Sequence, residues 1–132
     1  FLVSSSVVGV TSQRLVRRVC SECRVVAEPT DEELREIGLD RRRVGTNTIY
    51  KPGPGCPACK LTGYRGRSGI HELLVVDDDI RGLVMKNADS ATVRREATAK
   101  GMNTLREDGA DKVIAGLTTI EEILRVTQDD IL

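Results

Sequence analysis

Cys20-Ser21-Glu22-Cys23 and Cys56-Pro57-Ala58-Cys59 form two C-x-x-C pairs, separated by residues 24–55, and no cysteine is left over. A C-x-x-C knuckle turns two thiolates toward one point, with backbone amides free to donate to sulfur. Two such knuckles complete a tetrahedral shell of four sulfurs. Zinc fits that shell without strain, and four protein ligands leave no open position, so Cys20, Cys23, Cys56 and Cys59 are expected to hold a structural zinc ion. The separation exceeds the roughly 15–20 residues of an ordinary zinc ribbon, so the intervening segment must carry structure of its own.

Other uses of paired cysteines remain alongside this one. Two disulfides would need an oxidising compartment, and the opening Phe1-Leu2-Val3-Ser4-Ser5-Ser6 lacks the charged start and long apolar stretch of a secretory signal. A redox C-x-x-C needs one reactive pair in a βαβ setting, and here there are two pairs without that pattern. Iron is chemically admissible, because thiolates suit it as well as zinc. Four thiolates and one divalent cation carry a formal charge of about −2, which Arg17, Arg18, Arg24, Lys60, Arg65 and Arg67 flank in sequence. As single residues, these are ordinary solvated cations.

The elements that must position the knuckles read as follows. Ser4 to Ser6 offer helix caps, and Val7, Val8, Val10, Leu15, Val16 and Val19 recur at mixed helical spacing, so residues 5–18 are expected to form a helix delivering Cys20. Thr30-Asp31-Glu32-Glu33 is an acidic helix start with Glu33 at the capping-box position, and Gly38 ends the helix before Arg41-Arg42-Arg43. Thr48-Ile49-Tyr50 has β character and leads through Lys51-Pro52-Gly53-Pro54-Gly55 into the second knuckle.

Residues 63–69, Gly-Tyr-Arg-Gly-Arg-Ser-Gly, read as a basic glycine-punctuated loop. It is either a tight turn with surface arginines or a phosphate contact. Residues 70–76 read as a strand, in which the lone His71 is a packed or partly exposed side chain. The last third is helical. Asp77 to Asp79 open one helix as N-terminal carboxylates, Ser90 caps a second that stops at Gly101, a third runs from Thr104 to Ala115, and Thr119-Ile120-Glu121-Glu122 opens the last as a capping box.

Composition narrows the function. At 132 residues and 39% hydrophobic content the chain fills one modest domain or two small lobes. Twenty basic residues balance twenty acidic ones, and the aromatics are only Phe1, Tyr50 and Tyr64, which argues against nucleic acid as a partner. No apolar run approaches the roughly 20 residues of a membrane span. The chain is therefore expected to be cytoplasmic, and its non-Met start suggests a piece of something longer. A phosphate loop, a dinucleotide fingerprint, an H-E-x-x-H pair and a Ser/His/Asp set are all missing, so no catalytic residue is assigned. The residues alone leave a second possibility, a free-standing zinc ribbon that binds protein or nucleic acid.

Leu2-Val3-Ser4-Ser5-Ser6, residues 13–20, Gly55 to Cys59, Thr62 to Leu74, Gly101-Met102, Thr104 to Gly109 and Glu121 to Thr127 form an ordered series spanning nearly the whole chain. In that series the chain resembles the C-terminal part of the type II secretion and type IV pilus assembly ATPases. The resemblance implies a hexameric cytoplasmic motor with a RecA-like core, lying against the inner membrane through an assembly-platform protein. ATP and Mg2+ then belong to the parent, whose phosphate loop lies outside these residues. It implies an α+β fragment in three parts: residues 1–19 as the closing helix of the core, 20–62 as a tetracysteine module with short β-hairpins, and 63–132 as a mostly helical subdomain. Arg67 matches a family arginine near nucleotide phosphates. Arg41, Arg42, Arg43 and Arg65 are implied to face a neighbouring subunit or partner.

Overall fold

From Gly9 onward the expected opening helix is a strand. The computed structural model of the chain describes residues 9–128; Ser4 to Ser6, Val7 and Val8 lie outside them. From Gly9 to Val19 the chain runs as β1, paired antiparallel with β4 (Tyr64–Val75) in the register Gly9↔Val75 through Arg17↔Arg67. Its β-branched Val10, Thr11, Val16 and Val19 suit an extended backbone better than a helix, and their spacing is compatible with both periods. The partner strand decides between them. Val16 and Ile70 are fully buried on one face of the ribbon, whereas Leu15, Leu73 and Val75 on the other face are 50%, 52% and 58% exposed.

The basic stretch 63–69 is not a free loop, since from Tyr64 onward it is the first half of β4. The register slips between Arg17 and Val19, where Val19 pairs with Tyr64, leaving an extra residue on β4. Gly66, at φ 79°, supplies the left-handed conformation that such a bulge requires.

Between the ribbon strands the chain forms a second two-stranded pairing, β2 (Val25–Val26) with β3 (Tyr50–Lys51). It encloses helices α1 (Asp31–Glu36) and α2 (Arg41–Val44). The α1 capping box is present in full: Thr30 accepts from the Glu33 amide, and Glu33 accepts from the Thr30 amide.

After β4 come α3 (Asp78–Met85), α4 (Ser90–Ala99), α5 (Leu105–Ile114) and α6 (Ile120–Thr127). Asp77 caps α3 as its sequence suggests. For α4 the cap is Asp89, with Ser90 already inside the helix. Gly101 and Gly116 follow the ends of α4 and α5 at φ 98° and 79°.

The architecture is α+β, and one core joins distant parts of the chain. Val16 and Ile70 of the ribbon pack with Leu34, Ile37, Leu39 and Ile49 from between the knuckles and with Leu105, Ala110, Val113 and Ile123 of α5 and α6. Each buried Val, Leu or Ile among them contributes about 1.5–3 kcal/mol. The α3–α4 pair stands outside that core, with its own buried Ile80 and Ala97.

Candidate metal centre

Cys20 follows β1 directly, and Cys23 ends a tight turn three residues on. Cys56 and Cys59 bracket a 3-10 turn over Pro57–Cys59, followed by Lys60 and Leu61 at φ 55° and 65°. Two successive non-glycine residues in the left-handed region are strained, and strain of this kind persists where surrounding geometry enforces it. Gly53 lets the two knuckles meet, because a Cβ there would lie 1.8 Å from the Cys23 carbonyl oxygen.

The four sulfurs lie within 4.8 Å of one another. Cys20 to Cys56 is 3.7 Å, and Cys23 to Cys59 and Cys56 to Cys59 are each 3.8 Å. A tetrahedral ion with metal–sulfur bonds of about 2.3 Å requires sulfur edges of about 3.8 Å. The spacing is far too long for disulfides, whose S–S bond is about 2.05 Å, and all four cysteines are free. The set can therefore hold a metal ion, and soft sulfur donors select metals of the zinc and iron kind over magnesium or calcium.

Local electrostatics distinguish the sulfurs. Burial would raise the Cys59 thiol, but the amides of Cys56 and Gly63, donating to its sulfur at 3.3 and 3.2 Å, outweigh it and bring the group down to about 6. Burial and the neighbouring sulfurs push Cys23 up to about 12. Four sulfurs this close favour shared protons until a cation replaces them.

Of the flanking cations, Arg17 and Arg24 are engaged elsewhere, and Arg18, Lys60, Arg65 and Arg67 are exposed as expected of single solvated residues. Arg17 turns to Glu122, and Arg24 stacks on Tyr50 at 3.8 Å and donates to the Gly116 carbonyl at 3.2 Å. Arg18, Arg65 and Arg67 are exposed and make no side-chain hydrogen bond or ion pair among the described residues. Arg41 is held by Asp31 at 2.6 Å and by the Pro29 carbonyl, Arg43 pairs with Asp111, and Arg42 is exposed. The structure thus gathers the four cysteines into one site and leaves the arginines dispersed around it.

Glu122 is the residue that sequence reading missed. Thr119 caps α6 as expected, accepting from the Glu122 amide at 3.1 Å, but the reciprocal half of the capping box is absent. The Glu122 carboxylate, 1% exposed, instead accepts from the Arg17 amide at 3.0 Å, the Arg17 guanidinium at 3.0–3.3 Å and the Arg125 guanidinium at 2.5 and 3.2 Å. Charge-assisted bonds to two guanidinium groups outcompete one neutral amide. Burial alone would raise the acid, but Arg125, Arg17 and the Arg17 amide outweigh burial and hold it at about 2. No local signal could have disclosed a partner 105 residues away.

A tetracysteine cluster at the root of a β-ribbon, followed by a helical tail, defines a small module whose four sulfurs could hold a metal ion. Residues 1–125 match the sequence profile of the family described as "Type II/IV secretion system protein", and the chain belongs to that family. It is 48% identical over 127 residues to a "Type IV pilus assembly ATPase PilB" of Thermus thermophilus, covering 96% of this chain and 14% of that protein. It is 45% identical over 130 residues to a "Type II secretion system protein E" of Dickeya dadantii, covering 98% of this chain and 25% of that protein. It is also 46% identical over 129 residues to "Type II secretion system protein HxcR" of Pseudomonas aeruginosa, at 98% and 23% coverage. The chain spans a quarter or less of the length of these relatives. Among the described residues, no helix is long and apolar enough to cross a membrane.

Proposed function

We propose that this chain is the zinc-bearing C-terminal portion of a cytoplasmic, hexameric ATPase that powers type II secretion or type IV pilus assembly. Family membership and the printed names of the relatives support the motor assignment. The observation that carries the metal assignment is that all four sulfurs lie within 4.8 Å of one another, with three of their separations at 3.7–3.8 Å, the edge length of a tetrahedral zinc–thiolate site. Cys20, Cys23, Cys56 and Cys59 hold the ion, whose chemistry is that of a cross-link with every coordination position filled by the protein. ATP and Mg2+ belong to the parent.

Within the motor, residues 1–19 close the RecA-like core, contributing a strand from Gly9 where a helix was expected. Residues 20–62 form the metal module, and residues 63–132 form the subdomain beyond it. Arg67 contacts nucleotide phosphate in the assembled hexamer, a role supported by its exposure and its lack of a partner among the described residues. Arg42 and Arg65, exposed likewise, serve a neighbouring subunit or the membrane-embedded assembly platform. Arg41 and Arg43 could join them only by exchanging the internal carboxylates that now hold them.

Elemental analysis of the purified chain is expected to give one zinc per chain. The absence of any stoichiometric transition metal would overturn the metal assignment, and stoichiometric iron would replace zinc with a different ion. In the full-length parent, Arg67→Ala is expected to lower ATP turnover while zinc content stays unchanged. Unaltered turnover rejects the phosphate role.

A further inference from the structure

The metal knuckles are joined to the rest of the chain through a few short roots, and three of these reach the same distant segment. Before Cys20, the Val19 amide donates to the Leu117 carbonyl at 3.0 Å, the Thr118 hydroxyl donates to the Arg17 carbonyl at 2.7 Å, and the Arg17 amide donates to Glu122 at 3.0 Å. After Cys23, Arg24 donates to the Gly116 carbonyl. After Cys59, Tyr64 shares a hydrogen bond with the Thr119 hydroxyl at 3.0 Å, and Arg17 lies over its ring at 4.2 Å from the centroid. Gly63 links the two knuckles themselves: its carbonyl accepts from the Cys20 amide at 2.9 Å, and its own amide donates to the Cys59 sulfur.

We propose that residues 116–125, the α5–α6 turn and the first turns of α6, are a clamp that sets the affinity of the four-cysteine site for its metal, with Thr118 and Glu122 as positioning residues. The inference rests on the metal reading above.

The physical reason is pre-organisation. Two knuckles separated by a long loop must be brought together before four sulfurs can close on one ion, and that ordering opposes binding. A clamp already gripping the chain before Cys20, after Cys23 and after Cys59 has met that cost in advance. Thr118, Thr119 and Glu122 are at most 2% exposed, so water does not substitute for their bonds to the roots. The coupling is reciprocal: metal binding must stabilise the clamp by as much as the clamp favours metal. Occupancy of the site would therefore be felt in α6, which supplies no hydrogen bond to the sulfurs among the described residues.

The test is a competition titration of Zn2+ between a chromophoric chelator and the full 132-residue chain, run on the wild type, Thr118→Val, Glu122→Gln and the control Ile80→Val. Ile80 is buried in α3, outside the core that holds the ribbon. Thr118→Val keeps the side-chain volume and deletes one hydroxyl, so it keeps the test alive should Glu122→Gln fail to fold. Both clamp variants are expected to bind Zn2+ about 10-fold more weakly, the scale of a lost supporting contact at a metal site, with Ile80→Val unchanged. In wild-type protein, chelation is expected to speed hydrogen exchange at the amides of residues 120–126 and to leave α3 as it was.

Wild-type affinity in Thr118→Val, or α6 exchange indifferent to the chelator, would overturn the clamp and leave the metal reading intact. A wild-type chain that takes up no Zn2+ would overturn both. An equal loss of affinity in Ile80→Val would reduce the effect to general stability and also reject the clamp.

Discussion

The metal knuckles and the α3–α4 hairpin are both small excursions from the β1–β4 ribbon, and they are held together by opposite means. Residues 20–23 and 53–63 bury little apolar surface beyond Cys20 and Cys59, carry two strained left-handed residues, and converge on four sulfurs. Without a cation those sulfurs have only weak mutual attraction. The α3–α4 hairpin instead buries Ile80 and Ala97, places Asp77 and Asp89 at its helix starts, and ties itself back by Arg94 to Glu72 at 2.8 Å and Lys100 to Asp77 at 2.7 Å. On the proposed metal reading, one region depends on a single concentrated interaction, and the other on many small ones spread along helices.

The contrast breaks most sharply under a strong chelator. Metal removal is expected to withdraw folding free energy on the order of 10 kcal/mol from the knuckles. Hydrogen exchange should accelerate across residues 20–24 and 53–63 while α3 and α4 keep their protection. Equal acceleration in both regions would erase the distinction.

Truncating Ile80 to Ala reverses the test: a loss of about 2–4 kcal/mol in denaturant unfolding, with zinc stoichiometry unchanged. A variant that also loses zinc would show the two regions to be one cooperative unit.

Acid sharpens the comparison further. The Glu122 carboxylate has a folded pKa of about 2, depressed from its ordinary 4.5. A depressed pKa means that its stabilisation is complete above the unfolded value and is lost as pH falls from about 4.5 through about 2, up to roughly 3 kcal/mol in all. In Glu122→Gln, that portion of the acid-dependent loss should vanish from urea midpoints measured across this window. An identical pH profile in the variant would show that the carboxylate is not paired as described.

Lys100→Ala is expected to have the smallest effect. Its two carboxylate partners sit at the surface, so the change in melting should correspond to no more than about 1 kcal/mol. A larger loss would mean that the hairpin hangs on one contact after all.

Much of this molecule was legible in local residue chemistry. Thr30 with Glu33, Asp77, Thr104 and Thr119 announced helix starts because capping is settled within four residues. The run from Ile70 to Val76 announced a strand, and residues up to Val75 are one. Residues 9–18 were misleading, because Leu15 and Val16 stand four and three residues before Val19, a spacing that suits a helix until the distant partner strand β4 claims them. The stretch 63–69 deceived in the same manner, since Gly63, Gly66 and Gly69 signal a turn while the pairing partner that makes Tyr64 onward a strand lies in β1. Glu122 was recognised for the local half of its role only.

From the order of residues alone came the identity of the four cysteines that come together, most of the helix starts and the family to which the chain belongs, because these rest on side-chain chemistry and on spacings of a few residues. Tertiary structure alone decided that residues 9–19 are extended, that Arg17 faces Glu122 instead of the four sulfurs, and that residues 116–122 hydrogen-bond beside both knuckles. Contacts across a hundred residues depend on how the chain is brought back on itself, and no window of neighbouring residues contains that information.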